Sequence, residues 1–229
     1  MKIYSGLLSF LFLFVFNLAA ADGATDYHKI KLEGWDIYIE KTLVIKNDRR
    51  VFLALRIMRE KLHEISETLP GQHVSELKTV PLWISKNNGT NVEYYFYEKR
   101  IYRNGIDPRK LGGIEFKNIS IFLVMVKKMP GLIIHELAHA YHKMNYKKVD
   151  PLVMRAYKHA QQKNLYRTIS VERNHHGKSV YASKNPYEYF ADLSAMYFGT
   201  NDYFPYNRDD LEKHDPKGYQ MIEQVWEQN

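Results

Sequence analysis

Apolar and polar residues alternate through Trp35-Asp36-Ile37-Tyr38-Ile39, the period of a half-buried strand. The period then changes. From Asn47 or Asp48, either of which suits a helix N-cap, the residues Phe52, Leu55, Ile57, Met58, Leu62 and Ile65 recur at helical spacing as far as Thr68. Leu69-Pro70-Gly71 stops that helix. Val80 to Ser85 predicts a second strand, and Asn87-Asn88-Gly89 a turn. Tyr94-Tyr95-Phe96-Tyr97 and Arg100-Ile101-Tyr102 are expected as strand or extended loop, Gly105-Ile106-Asp107-Pro108 as another turn, and Ile114 to Met125 as a long β-rich segment. Pro130 opens a helix over residues 130–145, and a further helix is expected from Pro151 to Gln162. Asn185-Pro186 starts a helix that ends at Gly199, with the proline in the first turn, and Asp215-Pro216 repeats that start for a last helix reaching Trp226. Strands and an early helix followed mostly by helices predict an α+β fold in which a sheet supports the later helices.

Composition adds further constraints. The apolar and charged fractions, 45% and 26% of 229 residues, are those of an ordinary globular protein. With no repeat or linker visible, one domain over residues 22–229 is the simplest organisation. There are no cysteines, which rules out disulfides, thiolate metal sites and cysteine nucleophiles. The net charge of +7 favours contacts with anionic surfaces or glycans, but the lysines and arginines are scattered and no nucleic-acid-binding signature appears. Aromatics are abundant at 14%, 18 of the residues being Tyr, which suits a wet groove or interface as well as a core.

Residues 1–21 read as a secretory signal: Lys2, the apolar run Leu7 to Phe16, then the small residues Ala19-Ala20-Ala21. That run is short for a membrane span, so a secreted, extracellular chain without stable membrane insertion is expected. No long pro-segment precedes the first strand, which argues against latency of that kind and leaves room for an inhibitor protein. Asn88-Gly89-Thr90 and Asn118-Ile119-Ser120 are glycosylation sequons, Asn118 lying in a strand-like stretch where access is poor.

The chemistry concentrates in His135-Glu136-Leu137-Ala138-His139. Histidines four apart on a helix share a face, so both imidazoles can point at one ion, and zinc takes neutral imidazole readily. Glu136, one residue on, is placed to hold a water at that ion and take its proton. Ile133, Leu137, Ala140 and Met144 form an apolar stripe, while His135, His139 and His142 lie on another, so core and chemistry are expected on opposite sides. A catalytic zinc wants three protein ligands and an open position. The longer HExxHxxGxxH pattern fails, since His142 and Asn145 stand at its last two fixed positions, and His142 is read as a helix-face or supporting histidine. The third ligand is better sought in Glu188-Tyr189-Phe190-Ala191-Asp192, where Glu188 can ligate and Asp192, on the same face, can orient a ligating imidazole. Glu172 is a weaker rival without an acid four residues on, and His175-His176 are read as loop histidines.

With HExxH and a downstream glutamate the chain resembles the gluzincins, and more narrowly the catalytic domain of anthrax lethal factor and its small secreted relatives. The likeness is specific over residues 131–145 and 181–198: the family's Glu-aromatic-Phe-Ala-acid pattern is matched by Glu188 to Asp192, and its tyrosine seven residues before the glutamate by Tyr181. The segment from Gly199 to Pro205 looks like that of secreted relatives, and the toxin's receptor-binding part has no counterpart here. The resemblance implies a zincin-like fold with a mixed sheet over the HExxH helix and a mainly helical C-terminal part. It implies one zinc per chain on His135, His139 and Glu188, Glu136 as general base, Tyr181 as transition-state donor, and endopeptidase activity on protein or peptide substrates. Separately, an edge strand near Tyr94 to Tyr102 is expected to pair with an extended peptide. The rival expectations are a non-catalytic binding module of zincin fold, a structural zinc protein and a cationic surface-binding protein.

Overall fold

The computed structural model describes residues 26–89, 92–95, 104, 106–167 and 180–227. The signal-like segment, Arg100-Ile101-Tyr102, Glu172 and His175-His176 lie outside them. Among the described residues five strands form one mixed sheet: β1 (Tyr27–Leu32), β2 (Trp35–Glu40), β3 (Leu82–Ile84), β4 (Val92–Tyr94) and β5 (Ile114–Phe116), in the order β1-β2-β3-β5-β4. The β2-β3 and β3-β5 pairs are parallel, and the two edge pairs are antiparallel. The expected strand at Trp35 is therefore present, but its hairpin partner β1 escaped the sequence pattern. Its turn is Glu33-Gly34 rather than the familiar Asn-Gly, with both residues at positive φ (50° and 93°), as a tight two-residue hairpin requires. Glu33 is held there by Arg59 at 3.0 Å and His63 at 3.4 Å.

The alternation of β2 divides the sheet into two faces. Trp35, Ile37 and Ile39, with Leu82, Ile84, Ile114 and Phe116, are buried in the core shared with the helices. The opposite face carries Tyr38, Trp83 and Glu115 in register across β2, β3 and β5. Tyr38 and Trp83 stack at 4.1 Å. Glu115 is fully buried there: its carboxylate accepts from Lys110 Nζ at 2.6 Å, from Asn88 Nδ2 at 3.1 Å, and from the hydroxyls of Ser85 and Tyr95. The Lys110 ammonium, also buried, sits 5.0 to 5.9 Å from the rings of Tyr27, Trp83 and Tyr95. The segment around Lys110 thus covers the sheet by one satisfied ionic cluster. On the edge strand β1, Lys29 and Lys31 reach Asp36 at 2.9 and 2.8 Å.

The helices are α1 (Lys41–Ile45), α2 (Arg49–Thr68), α3 (Gly71–Leu77), α4 (Ile119–Lys128), α5 (Leu132–Met144), α6 (Tyr146–Gln162), α7 (Pro186–Phe198), α8 (Arg208–His214) and α9 (Pro216–Trp226). The α2 helix starts as expected, Asp48 accepting from the Arg50 amide, although Phe52 faces outward. Ile114 to Met125 is not one β-rich segment. Only β5 is strand; Asn118 then accepts from the amides of Ser120 and Ile121 and starts α4, which buries Ile119, Phe122 and Val126 at helical intervals. An apolar run of this kind carries no period to decide between the two states, and the Asn118 cap decides it. Asn118 is accordingly a cap rather than a strand residue, and its Nδ2 donates to Asn87 Oδ1 at 3.2 Å. The α6 helix begins before Pro151 and contains it. The short helices α3 and α8 were not anticipated. The α+β class with a mixed sheet and a mostly helical remainder holds.

Among the described residues no helix is long and apolar enough to cross a membrane.

Candidate metal centre

The α5 helix carries the HExxH motif through the middle of the molecule. Residues Leu132 to Ala138 and Ala140 to His142 are buried, so the division into a core side and a chemical side does not hold. Met144, expected in the apolar stripe, is 42% exposed, while His135 and Glu136 are only 5% and 9% exposed. The reason is α7, which crosses α5 on the chemical side. At the crossing Gly131 is so close to Ala195 that a Cβ on the glycine would lie 2.8 Å from the Ala195 Cβ. The α7 helix itself begins where expected: Asn185 accepts from the Glu188 amide at 2.9 Å and Pro186 occupies the first turn. That cap sets the helical phase in which Glu188 and Asp192 both turn towards α5.

The crossing brings together the three predicted ligands. His135 Nε2 and His139 Nε2 are 3.2 Å apart, and Glu188 Oε2 is 3.4 and 3.5 Å from them. Two observations test whether a cation fits. Donor atoms about 2.0–2.1 Å from a tetrahedral ion are separated by about 3.3 Å, and this triangle has that size. Further, Glu188 Oε2 is buried without a hydrogen-bond partner, a costly state for a carboxylate oxygen that a cation between the three atoms relieves. His135, His139 and Glu188 form a group able to hold a metal ion.

Asp192 stands behind the triangle. Its Oδ1 lies 3.0 Å from His135 Nδ1, an ion-pair approach off the linear hydrogen-bond direction, and leaves Nε2 turned to the centre. Burial opposes charge on His135, but the carboxylates of Asp192 and Glu188 outweigh it and raise its pKa to about 10. Burial likewise favours the neutral form of Glu188, yet the two imidazoles hold its pKa well below the usual carboxylate range. For Glu136 burial dominates and pushes the carboxyl upward, against the pull of His135 and His139.

Tyr181, in a turn of 3₁₀ helix (Tyr181–Ser183) just before α7, sets its ring edge-on to His135 at 6.3 Å between centroids. It is 49% exposed, and Lys184 Nζ lies 3.2 Å from its ring centroid. Burial of its inner side, with the charges of Glu188, Asp192 and Glu136, raises the phenol pKa, so the hydroxyl stays a donor at neutral pH. His142 is not part of the group: fully buried, it pairs through Nε2 with Asp150 at 3.2 Å and packs against Tyr187 and Phe190. One residue beside the centre was missed. Tyr203, buried, donates its hydroxyl to Asp192 Oδ2. No periodicity or motif marks it, because it belongs to the irregular segment after α7.

No protein-family model, curated protein or solved structure gives a significant match to this chain. The likeness to the lethal factor catalytic domain therefore rests on the motif residues alone.

Proposed function

We propose that this chain is a secreted zinc-dependent endopeptidase of zincin fold. The observation that carries the proposal is the triangle of His135 Nε2, His139 Nε2 and Glu188 Oε2, two of whose side chains, His139 and Glu188, are only partly buried. Two imidazoles and one carboxylate form the donor set of catalytic rather than purely structural zinc, and a bound zinc supplies a Lewis acid that acidifies water and polarises a peptide carbonyl. Glu136, buried beside the ligands, accepts the proton of the attacking water and delivers it to the leaving amine. Tyr181 donates its phenolic hydrogen to the oxyanion that develops on the carbonyl. Asp192 fixes the His135 ring. The strand β4 runs beside α5.

The test is zinc content and peptide-library cleavage by the purified chain beside Glu136→Gln. The expected result is one zinc per chain in both proteins and cleavage only in the first. Zinc without cleavage in either would favour the binding-module or structural-zinc reading, and a chain that takes up no zinc would end both.

A further inference from the structure

We propose that Tyr203 is a positioning residue of the metal centre, orienting His135 through Asp192. The inference rests on the metal-centre reading above. The two carboxylate oxygens of Asp192 have separate partners. Oδ1 faces His135 Nδ1 at 3.0 Å, and Oδ2 receives the Tyr203 hydroxyl. A carboxylate held at both oxygens is held in rotation, so the imidazole it faces is aimed as well.

Tyr203 is itself placed from outside the two ligand helices. Its loop is closed by Asn201 N to Tyr206 O at 2.8 Å, and Thr200 O accepts from the Gly131 amide, at the start of α5, at 3.3 Å. The burial of Tyr203 and the negative charge of Asp192 raise the phenol well above its ordinary pKa, so it remains a donor throughout the range in which the protein is handled. A loop anchor without further purpose needs no hydroxyl directed at a fully buried carboxylate that already faces a metal ligand.

Tyr203→Phe keeps the ring and removes the donor. Zinc affinity, read by competition with a chromophoric chelator, is expected to fall about tenfold, the lower end for partners of metal ligands. The melting temperature of the metal-free protein is measured alongside. In an Asp192→Ala background the same substitution should have no further effect on affinity, because the two residues act in series. Equal zinc affinity in wild type and Tyr203→Phe overturns the proposal, as does an additive loss in the double variant. Should Tyr203→Phe fail to fold, 4-aminophenylalanine at position 203 retains a donor in the same shape: affinity within about threefold of wild type is expected, and the full tenfold loss in that folded protein overturns the proposal. A wild-type chain that binds no zinc refutes the metal-centre reading instead, so the two failures are distinguishable.

Discussion

The residues of the centre divide the labour by burial. His135, Glu136 and Asp192 are enclosed, whereas Tyr181 stands half in solvent. That difference separates what each substitution should do. Tyr181→Phe is expected to lower kcat by about 10²-fold, as for removal of one donor to an oxyanion, with zinc content unchanged; a matching loss of zinc would assign the tyrosine to metal retention instead. That His135 and His139 share one helix face with Glu136 beside them was legible at once, because spacing on a helix is a local property. Glu188 and Asp192 were legible as a pair on one face, though only the crossing of α5 and α7 shows that face turned to the histidines. Tyr203 was illegible: its partner lies across a loop, and a tyrosine among 18 carries no mark of its contact.

A chemical start signal announced several of the elements, although α4 and α8, capped by Asn118 and Asn207, escaped. Asp48, Asn185 and Asp215 each cap the helix expected of them. Asn185→Ala should cost about 1 kcal/mol of stability, measurable by denaturant unfolding, since the Glu188 amide loses its acceptor. Failures came where a signal was absent or unusual: the apolar run of α4, resolved only by Asn118, and the Glu33-Gly34 hairpin. The buried cluster between β5 and Lys110 was equally hidden, because Glu115 sits in an ordinary-looking strand and its partners arrive from elsewhere in the chain. Burial opposes the Glu115 charge, but Lys110, Ser85, Tyr95 and Asn88 together hold its pKa below the ordinary value. A carboxyl depressed on folding contributes stability that is full above its unfolded pKa and disappears as pH falls through the folded one. Unfolding midpoints should therefore decline on acidification below about pH 4, and Glu115→Gln should flatten that decline. At neutral pH the same substitution leaves the Lys110 charge buried without its partner, at a cost of about 3–5 kcal/mol.

At the scale of the molecule, one hydrophobic cluster runs from the sheet through α2 and α5 to α9. No cysteine reinforces it, so an ion held by the candidate ligands of α5 and α7 would add a link between helices. With zinc at a hundred times its Kd, binding contributes about 2.7 kcal/mol, and chelation should lower the melting temperature accordingly while a reductant leaves it unchanged. Gly131→Ala tests the crossing itself: the added methyl meets Ala195, and a destabilisation of about 1–3 kcal/mol is expected together with weaker zinc retention. The sheet has a polarity as well. Its β1 edge is studded with Lys29 and Lys31, the charged dressing that discourages another chain from annealing there. Pairing by a foreign strand is thereby discouraged along β1, so the same lysines that neutralise Asp36 also guard that border of the sheet against aggregation.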